Sequence, residues 1–189
     1  MESLEEKIER VLKDRIELVA YDPVWPALFE TEKVHLLSSL PNGLMTRIEH
    51  FGSTSIPGMP AKPVVDMLVE VISLEDARQW IAPILEAQGY DYFWRPQREG
   101  QTPPNYAWFI KRDREGHRTH HIHMTISDST LWECLLFRDY LVAHPEMAAE
   151  YAQLKLDLAS RYPGDRIAYT TNKTDFVRKV VDAVKANTP

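Results

Sequence analysis

The sequence has one cysteine, no long apolar run and no excess of positive charge. Cys134 alone can form neither a disulfide framework nor a cysteine-rich zinc site, so we expect a cytoplasmic protein. No stretch approaches the roughly 18 apolar residues that cross a bilayer, and the N-terminus MESLEEKIER lacks the apolar core of a signal peptide. We therefore expect no membrane partner.

The balance of charge is negative. The 189 residues include 22 Lys and Arg against 28 Asp and Glu, a formal net charge of −6. This balance disfavours binding to extended nucleic acid, which depends on contacts to many phosphates, but it allows a basic pocket for a small anionic ligand. With 44% hydrophobic and 26% charged residues, the composition is typical of a globular domain whose core needs no disulfide or metal.

The order of apolar patterns predicts an α+β fold. A helix predicted at residues 2–14 is rich in acids, and we interpret 1–14 as a helical appendage to a single domain at 15–189. Strands are predicted at 16–21, 44–51, 63–72, 90–95, 105–112 and 117–126. Helices are predicted from Asp22 to about Leu40, from Ser73 to Gly89 with a kink at Pro83, and at 129–143, 145–161 and 171–187. Strands first and helices last predict a mixed sheet with helices packed on it and a helical C-terminal segment.

A Gly-Ser pair and an aspartate form the first candidate constellation. Gly52 and Ser53 follow a predicted strand, where backbone amides and a hydroxyl can approach a phosphate closely. Asp66 lies inside the next, otherwise apolar strand, and a charge there is costly unless it is paired or coordinated. An aspartate so placed can hold a divalent cation against the phosphate. The alternative is a plain turn followed by an acid near a strand end.

Histidines in the run His120-His121-Ile122-His123 form the second constellation. Strand geometry places His121 and His123 on one face, about 7 Å apart, and His120 on the other. Two such imidazoles can share a small ion or straddle a phosphate. The alternative is a pair of histidines on a solvated sheet face.

Cations at apolar positions form the third constellation. Arg138 and Lys173 each lie at the centre of an apolar helical stripe, and Lys173 falls in the first turn of its predicted helix, where the helix dipole opposes a cation. Both placements predict a compensating anion, with snorkelling to solvent as the alternative. Lys62, at the end of the loop before the Asp66 strand, is a third candidate, with a plain surface lysine as the alternative. We interpret the aromatic residues, including Trp108, as core packing.

Several segments resemble the signatures of the GrpB family. They are residues 50–58 (HFGSTSIPG), 61–66 (AKPVVD), 121–123 (HIH), 137–141 (FRDYL), 151–155 and 169–173, in the family's order within about residues 15–187. The resemblance implies a nucleotidyltransferase-like fold with a palm-like sheet. Because some family members are fused to dephospho-CoA kinase, it also implies a link to coenzyme A metabolism.

The larger superfamily implies a Gly-Ser pair at a strand end and then a strand with two acids. Gly52, Ser53 and Asp66 match the pair and the first acid, whereas Leu68 occupies the position of the second. Transfer with two metal ions needs carboxylates that bridge the ions, which leucine cannot do. The match therefore implies one ion with mixed oxygen and nitrogen ligands, which suits Mn²⁺ or Zn²⁺ better than Mg²⁺.

The sequence thus predicts a protein that binds a nucleotide or another phosphorylated small molecule, with metal-dependent nucleotidyl transfer as its reaction. Gly52, Ser53 and Ser55 would cradle phosphate, and its charge would be neutralised by Lys62, Arg138 and Lys173. Asp66 would hold the metal. His121 and His123 would be its co-ligands or would act as a proton-transfer pair. Two alternatives remain: a non-catalytic ligand- or partner-binding module, which Leu68 favours, and a metal-dependent phosphohydrolase.

Overall fold

The computed structural model describes residues 4–13, 17–95 and 105–187. The helices are α1 (Leu4–Lys13), α2 (Trp25–Ser39), α3 (Leu74–Asp76), α4 (Ala82–Ala87), α5 (Glu133–Ala143), α6 (Pro145–Arg161) and α7 (Arg166–Ala186). The strands are β1 (Met45–Phe51), β2 (Val65–Val71), β3 (Asp91–Arg95), β4 (Tyr106–Arg112) and β5 (Arg118–Thr125). Short 3₁₀ turns occupy Ser53–Ser55 and Thr130–Trp132, and a π-helical turn, Ala77–Ile81, joins α3 to α4.

The five strands form one mixed sheet in the order β1-β2-β5-β4-β3. β2 and β5 are parallel neighbours at its centre, and every other pairing is antiparallel. The predicted antiparallel run of β3, β4 and β5 is therefore confirmed, as is the α+β class with a mixed sheet.

The two faces of the sheet have different partners. On one face, α2 and the α3–α4 helix cover a core that includes Met67, Val69, Phe109 and Ile122, none of which is exposed. This alternation follows from the two-residue period of strands, which directs every second side chain to the same face. The opposite face carries Asp66 and is turned toward α5–α7, whose own apolar contacts form a second cluster around Phe137.

The strand predicted at 16–21 is wrong for the residues described, 17–21. Only Val19 pairs there, with Ala61, through hydrogen bonds of 2.9 and 3.0 Å. At the next hydrogen-bonding position on one side, Pro63 has no N–H to donate, and on the other side the N–H of Met59 donates to the carbonyl of Ile56 at 3.1 Å, so the ladder does not extend.

Two helix boundaries differ from the prediction in informative ways. Asp22 does not begin α2 directly but accepts a hydrogen bond of 2.9 Å from the N–H of Val24, so the helix begins at Trp25. The predicted kink at Pro83 takes the form of the π-helical turn just before it, which accommodates a residue that cannot donate a backbone hydrogen bond.

Ion pairs join helix α1 to β3 and to α4. Arg10 donates to both oxygens of Asp91, at 3.0 and 2.8 Å, and Lys7 pairs with Glu86 at 3.0 Å. The boundary between an appendage at 1–14 and a domain at 15–189 stays a prediction. Across the described ranges, no helix is both long and apolar enough to traverse a bilayer.

Candidate functional site

The central strands bring three polar side chains together. The parallel register of β2 and β5 sets Asp66 opposite His121 and Leu68 opposite His123, so all four residues share the face toward α5–α7. Ligand atoms of Asp66, His121 and His123 all lie within 4.8 Å of one another. The predicted convergence of this aspartate with the two histidines is confirmed.

Hydrogen bonds define the state of Asp66 and His121. The Nδ1 of His121 lies 3.1 Å from Asp66 Oδ1, and its Nε2 lies 3.4 Å from a guanidinium nitrogen of Arg118. Because Arg118 only donates and an ionised carboxylate only accepts, the proton of a neutral His121 belongs on Nδ1. Burial alone would raise the pKa of Asp66, but the hydrogen bond from His121 and the charge of Lys62 hold it below its usual value.

His123 is a neutral imidazole enclosed by aromatic rings. Burial lowers its pKa to about 3. Its ring centroid lies 5.3 Å from that of Phe51, 5.5 Å from Tyr106 and 6.1 Å from Trp108. An uncharged, half-buried imidazole on the cavity wall keeps a lone pair for a cation or a ligand proton.

The loop after β1 approaches Asp66 so closely that only glycine fits. Gly52 has φ +72° and ψ −172°, and a Cβ built there would lie 2.5 Å from Asp66 Oδ2. Ser53 hydrogen-bonds Tyr151 and lines the same cavity as Gly52. The loop is further fixed by His50, whose Nε2 lies 3.0 Å from Thr54 Oγ1 and whose pKa burial lowers to about 4.

Ser55 does not occupy the predicted position. Its hydroxyl donates to the carbonyl of Gly52 at 2.6 Å, and it is absent from the described residues that line the cavity. Ser55 therefore stabilises the loop itself, because the 3₁₀ turn over Ser53–Ser55 directs its side chain back to the carbonyl of Gly52, the residue before the turn.

A cavity of about 430 Å³ separates this face of the sheet from α5–α7. Among the described residues that line it, the cations are Lys62, Arg95, Lys155 and Lys173, whereas the carboxylate is Asp66 alone. In a chain with a net charge of −6, this is a marked local concentration of positive charge. Such a cavity favours an anionic ligand.

Two of the predicted cations lie on the wall of the cavity. The ammonium groups of Lys62 and Lys173 lie 5.6 and 5.5 Å from the ring centroid of Tyr169. The sequence predicts Lys173 in the first turn of its helix, but α7 begins earlier, at Arg166. Asp165 caps this helix by accepting a hydrogen bond of 2.9 Å from the N–H of Ala168. The expected conflict with the helix dipole is therefore absent.

Arg138 does not reach the cavity wall. One guanidinium nitrogen donates to the carbonyl of His50 at 2.7 Å and to Glu49 at 3.2 Å, and another pairs with Asp139 at 2.7 Å. The anion predicted to compensate Arg138 is thus supplied by side chains, and the arginine ties α5 to β1. This placement is contrary to the prediction that Arg138 neutralises phosphate beside Lys62 and Lys173, because Arg138 is not among the described residues that line the cavity.

Sequence reasoning overlooked Lys155 and Trp108. Lys155 follows Tyr151 by one helical turn and lies on the same apolar stripe, the signal that singled out Lys173. Trp108 packs as predicted but also lines the cavity, and the guanidinium of Arg95 lies 5.1 Å from its ring centroid.

Comparisons with known proteins agree on one family. The model of the family described as GrpB protein matches residues 15–183. A UPF0157 protein of Pseudomonas aeruginosa is 42% identical over 180 residues, which cover 93% of this chain and 70% of its own length. The crystal structure of conserved protein GrpB from Enterococcus faecalis aligns with a TM-score of 0.76 and 32% identity, covering 90% of this chain and 98% of that one. A dephospho-CoA kinase of Mycolicibacterium paratuberculosis is 28% identical over 89% of this chain, which spans 46% of the kinase. The chain therefore belongs to the GrpB family, as its sequence signatures predicted.

Proposed function

We propose that this protein binds a nucleotide or another phosphorylated small molecule in the cavity over β2 and β5. The observation that carries the proposal is the composition of the wall, where four basic side chains face a single carboxylate among the described residues. Phosphate lies between the Gly52–Ser53 loop on one side and Lys62 and Lys173 on the other. Preorganised donors of this kind stabilise phosphate because they are already held in place by packing.

The rest of the cavity suits the organic part of such a ligand. Its volume of about 430 Å³ lies in the range of small-molecule sites. Phe51, Tyr106 and Trp108 line it, and aromatic rings of this kind stack on a flat base. Nucleotides, including coenzyme A precursors that combine a base with phosphates, are therefore the first ligands to test.

The residues present fit a single divalent cation. Asp66, His121 and His123 offer one carboxylate and two imidazoles whose ligand atoms already lie within 4.8 Å of one another. This donor set suits Mn²⁺ or Zn²⁺ better than Mg²⁺, which prefers oxygen. A metal bound through Nδ1 of His121 would displace the proton that this nitrogen shares with Asp66. When bound, such an ion would supply charge neutralisation at a phosphoryl oxygen.

Nucleotidyl transfer is the reaction we propose for this site. Lys62 and Lys173 would neutralise the charge of the polyphosphate, and the loop that contains Ser53 would orient it. Asp66 would hold the divalent cation beside the reacting phosphate. Leu68 also lines the cavity, at the position where a second carboxylate would be needed for two ions. This residue favours the second candidate, a module that binds the same ligand without turning it over.

The test combines a ligand screen with a matched pair of lysine variants. Melting temperature is measured with ATP, UTP, dephospho-CoA, pyrophosphate and sulfate, each with and without Mn²⁺. Lys173→Met should weaken binding of the best ligand by roughly 10- to 150-fold, the loss of one charged contact of about 1.5–3 kcal/mol. Lys179→Met, an exposed lysine on the same helix, changes the net charge equally and should leave affinity unchanged.

The outcomes separate the candidate functions. Release of pyrophosphate from a bound nucleotide would support transfer, and release of inorganic phosphate would support the hydrolase. Binding without turnover would support the non-catalytic module. No shift with any ligand, or equal losses in both lysine variants, would refute the phosphate site.

A further inference from the structure

Lys155 is the most deeply buried cation of the cavity wall. Its side chain projects from α6 and is only 1% exposed. The ammonium donates to the carbonyl of Pro60 and lies 5.0 Å from the ring centroid of Tyr151. An ammonium has three protons, so a single carbonyl and an aromatic face leave its donor capacity incompletely used.

The charged groups around Lys155 are also cations. Lys62, from the loop before β2, and Lys173, from α7, both act on it electrostatically. The hydroxyls of Tyr151 and Tyr169, whose pKa values burial raises, also face this end of the cavity. Tyr151 in turn interacts with Asp66 and with the Cys134 thiol, whose pKa burial raises to about 11. In the described part of the chain, no carboxylate forms an ion pair with Lys155.

A buried ammonium between two others is costly to charge. Burial first, and then Lys173 and Lys62, lower the pKa of Lys155 to about 7. Near neutral pH, the empty cavity thus contains both the amine and the ammonium form. An anion placed beside the Lys155 ammonium reverses the balance, because it supplies an opposite charge next to that group.

We propose that Lys155 contacts the terminal anionic group of the ligand and takes up one proton from solvent as that group enters the cavity. The inference rests on the proposed function and adds to it a selectivity of the cavity for the charge of the ligand's terminal group. Because protonation of Lys155 adds a third positive charge beside Lys62 and Lys173, the site favours a doubly charged terminal phosphate over a singly charged phosphodiester. Affinity for the ligand then depends on pH through a lysine.

Sulfate is the probe of choice, because it has the charge of a terminal phosphate and does not titrate between pH 6 and 8.5. Its dissociation constant can be followed by tryptophan fluorescence, since Trp108 lines the cavity. In the parent protein, affinity should be nearly constant below pH 6.5 and fall by up to about tenfold per pH unit above pH 7.5. Methyl sulfate, with one charge, should bind more weakly than sulfate.

Two variants assign the pH dependence to Lys155. Lys155→Arg keeps a permanent charge, so it should bind sulfate with an affinity that no longer changes between pH 6.5 and 8.5. Lys173→Met should bind more weakly at every pH and stay pH-dependent, but its affinity should begin to fall at a higher pH than in the parent, because Lys173 lowers the pKa of Lys155. A slope that persists in Lys155→Arg, or a parent without a slope, would overturn the inference while leaving the anion site intact.

Calorimetry of the parent keeps the inference testable if Lys155→Arg does not fold. Sulfate binding at pH 7.5 in two buffers of different ionisation enthalpy should show uptake of a substantial fraction of one proton, and zero uptake overturns the role of Lys155. If the parent binds no sulfate, phosphate or pyrophosphate at any pH, the proposed function itself fails.

Discussion

Replacing Gly52 by alanine tests how the loop after β1 shapes the site. The backbone of Gly52, at φ +72° and ψ −172°, lies in a region that only glycine adopts readily. The added Cβ would lie 2.5 Å from Asp66 Oδ2, roughly 1 Å closer than an ordinary carbon–oxygen contact. Asp66 is anchored by its strand and by His121, so either the loop or the carboxylate must move.

The two effects have different magnitudes. The backbone strain should lower the free energy of unfolding by about 1–3 kcal/mol. A displacement of about 1 Å at the site should lower the affinity for Mn²⁺ or sulfate by as much as 100-fold, the typical consequence of misplacing a functional group by this distance. Urea unfolding measures the first effect, and ligand titration monitored by fluorescence measures the second.

Gly58→Ala is the matched control. Gly58 also has a positive φ, +76°, but a Cβ there meets nothing within 4 Å. This variant should lose about 1–2 kcal/mol of stability from the same kind of strain and bind ligands like the parent. If Gly52→Ala binds Mn²⁺ and sulfate as tightly as Gly58→Ala does, the close approach to Asp66 has no functional importance and the reasoning is refuted.

Three further predictions concern Asp66, Arg138 and His50. Asp66→Asn should weaken Mn²⁺ binding by more than the roughly 10- to 100-fold that losing an outer-sphere partner costs; an unchanged affinity in a Mn²⁺ titration would contradict the metal site. Arg138→Met should lower the free energy of unfolding by about 1.5–3 kcal/mol, because it loses Glu49 and the His50 carbonyl, but leave sulfate affinity unchanged; a stable variant that binds sulfate weakly would restore Arg138 to the phosphate site. Because the pKa of His50 is about 4 in the folded protein and near 6.5 when unfolded, the unfolded state binds more protons between these values. Stability should therefore fall with decreasing pH, by up to about 1.4 kcal/mol per pH unit from this group. His50→Gln should give a shallower slope in urea unfolding, and an equal slope would exclude His50 as the cause.

The sheet strands could be predicted because their signals are local. The strands predicted at 44–51 and 63–72 differ by two residues or fewer at each end from β1 and β2. The strand predicted at 16–21 does not form because pairing there depends on a distant segment, in which Pro63 has no N–H to donate and the N–H of Met59 is bonded to Ile56. Pairing across long sequence separations leaves no trace in local periodicity.

The part of the candidate site that could be predicted consists of polar residues within otherwise apolar strands. Asp66, His121 and His123 each break an apolar pattern, and the parallel pairing of β2 with β5 brings them together. On the helices, a cation within an apolar stripe predicts a residue that faces the site, and this criterion holds for Lys173 but not for Arg138. Arg138 meets acids from β1 and its own helix, whereas Lys173 meets a cavity, and periodicity cannot distinguish a neighbouring carboxylate from an open space.

The central pairing of β2 with β5 has a consequence for synthesis on the ribosome. Asp66 and His121 are 55 residues apart, and the helix that carries Lys173 comes later still. While β5 is still being translated, β2 has only β1 to pair with, and its other edge, rich in valine, offers unpaired backbone groups. Such an edge can recruit strands from other chains, so the nascent protein passes through an aggregation-prone stage. The cavity ligand cannot relieve this hazard, because its binding groups are completed only after the vulnerable edge has been covered.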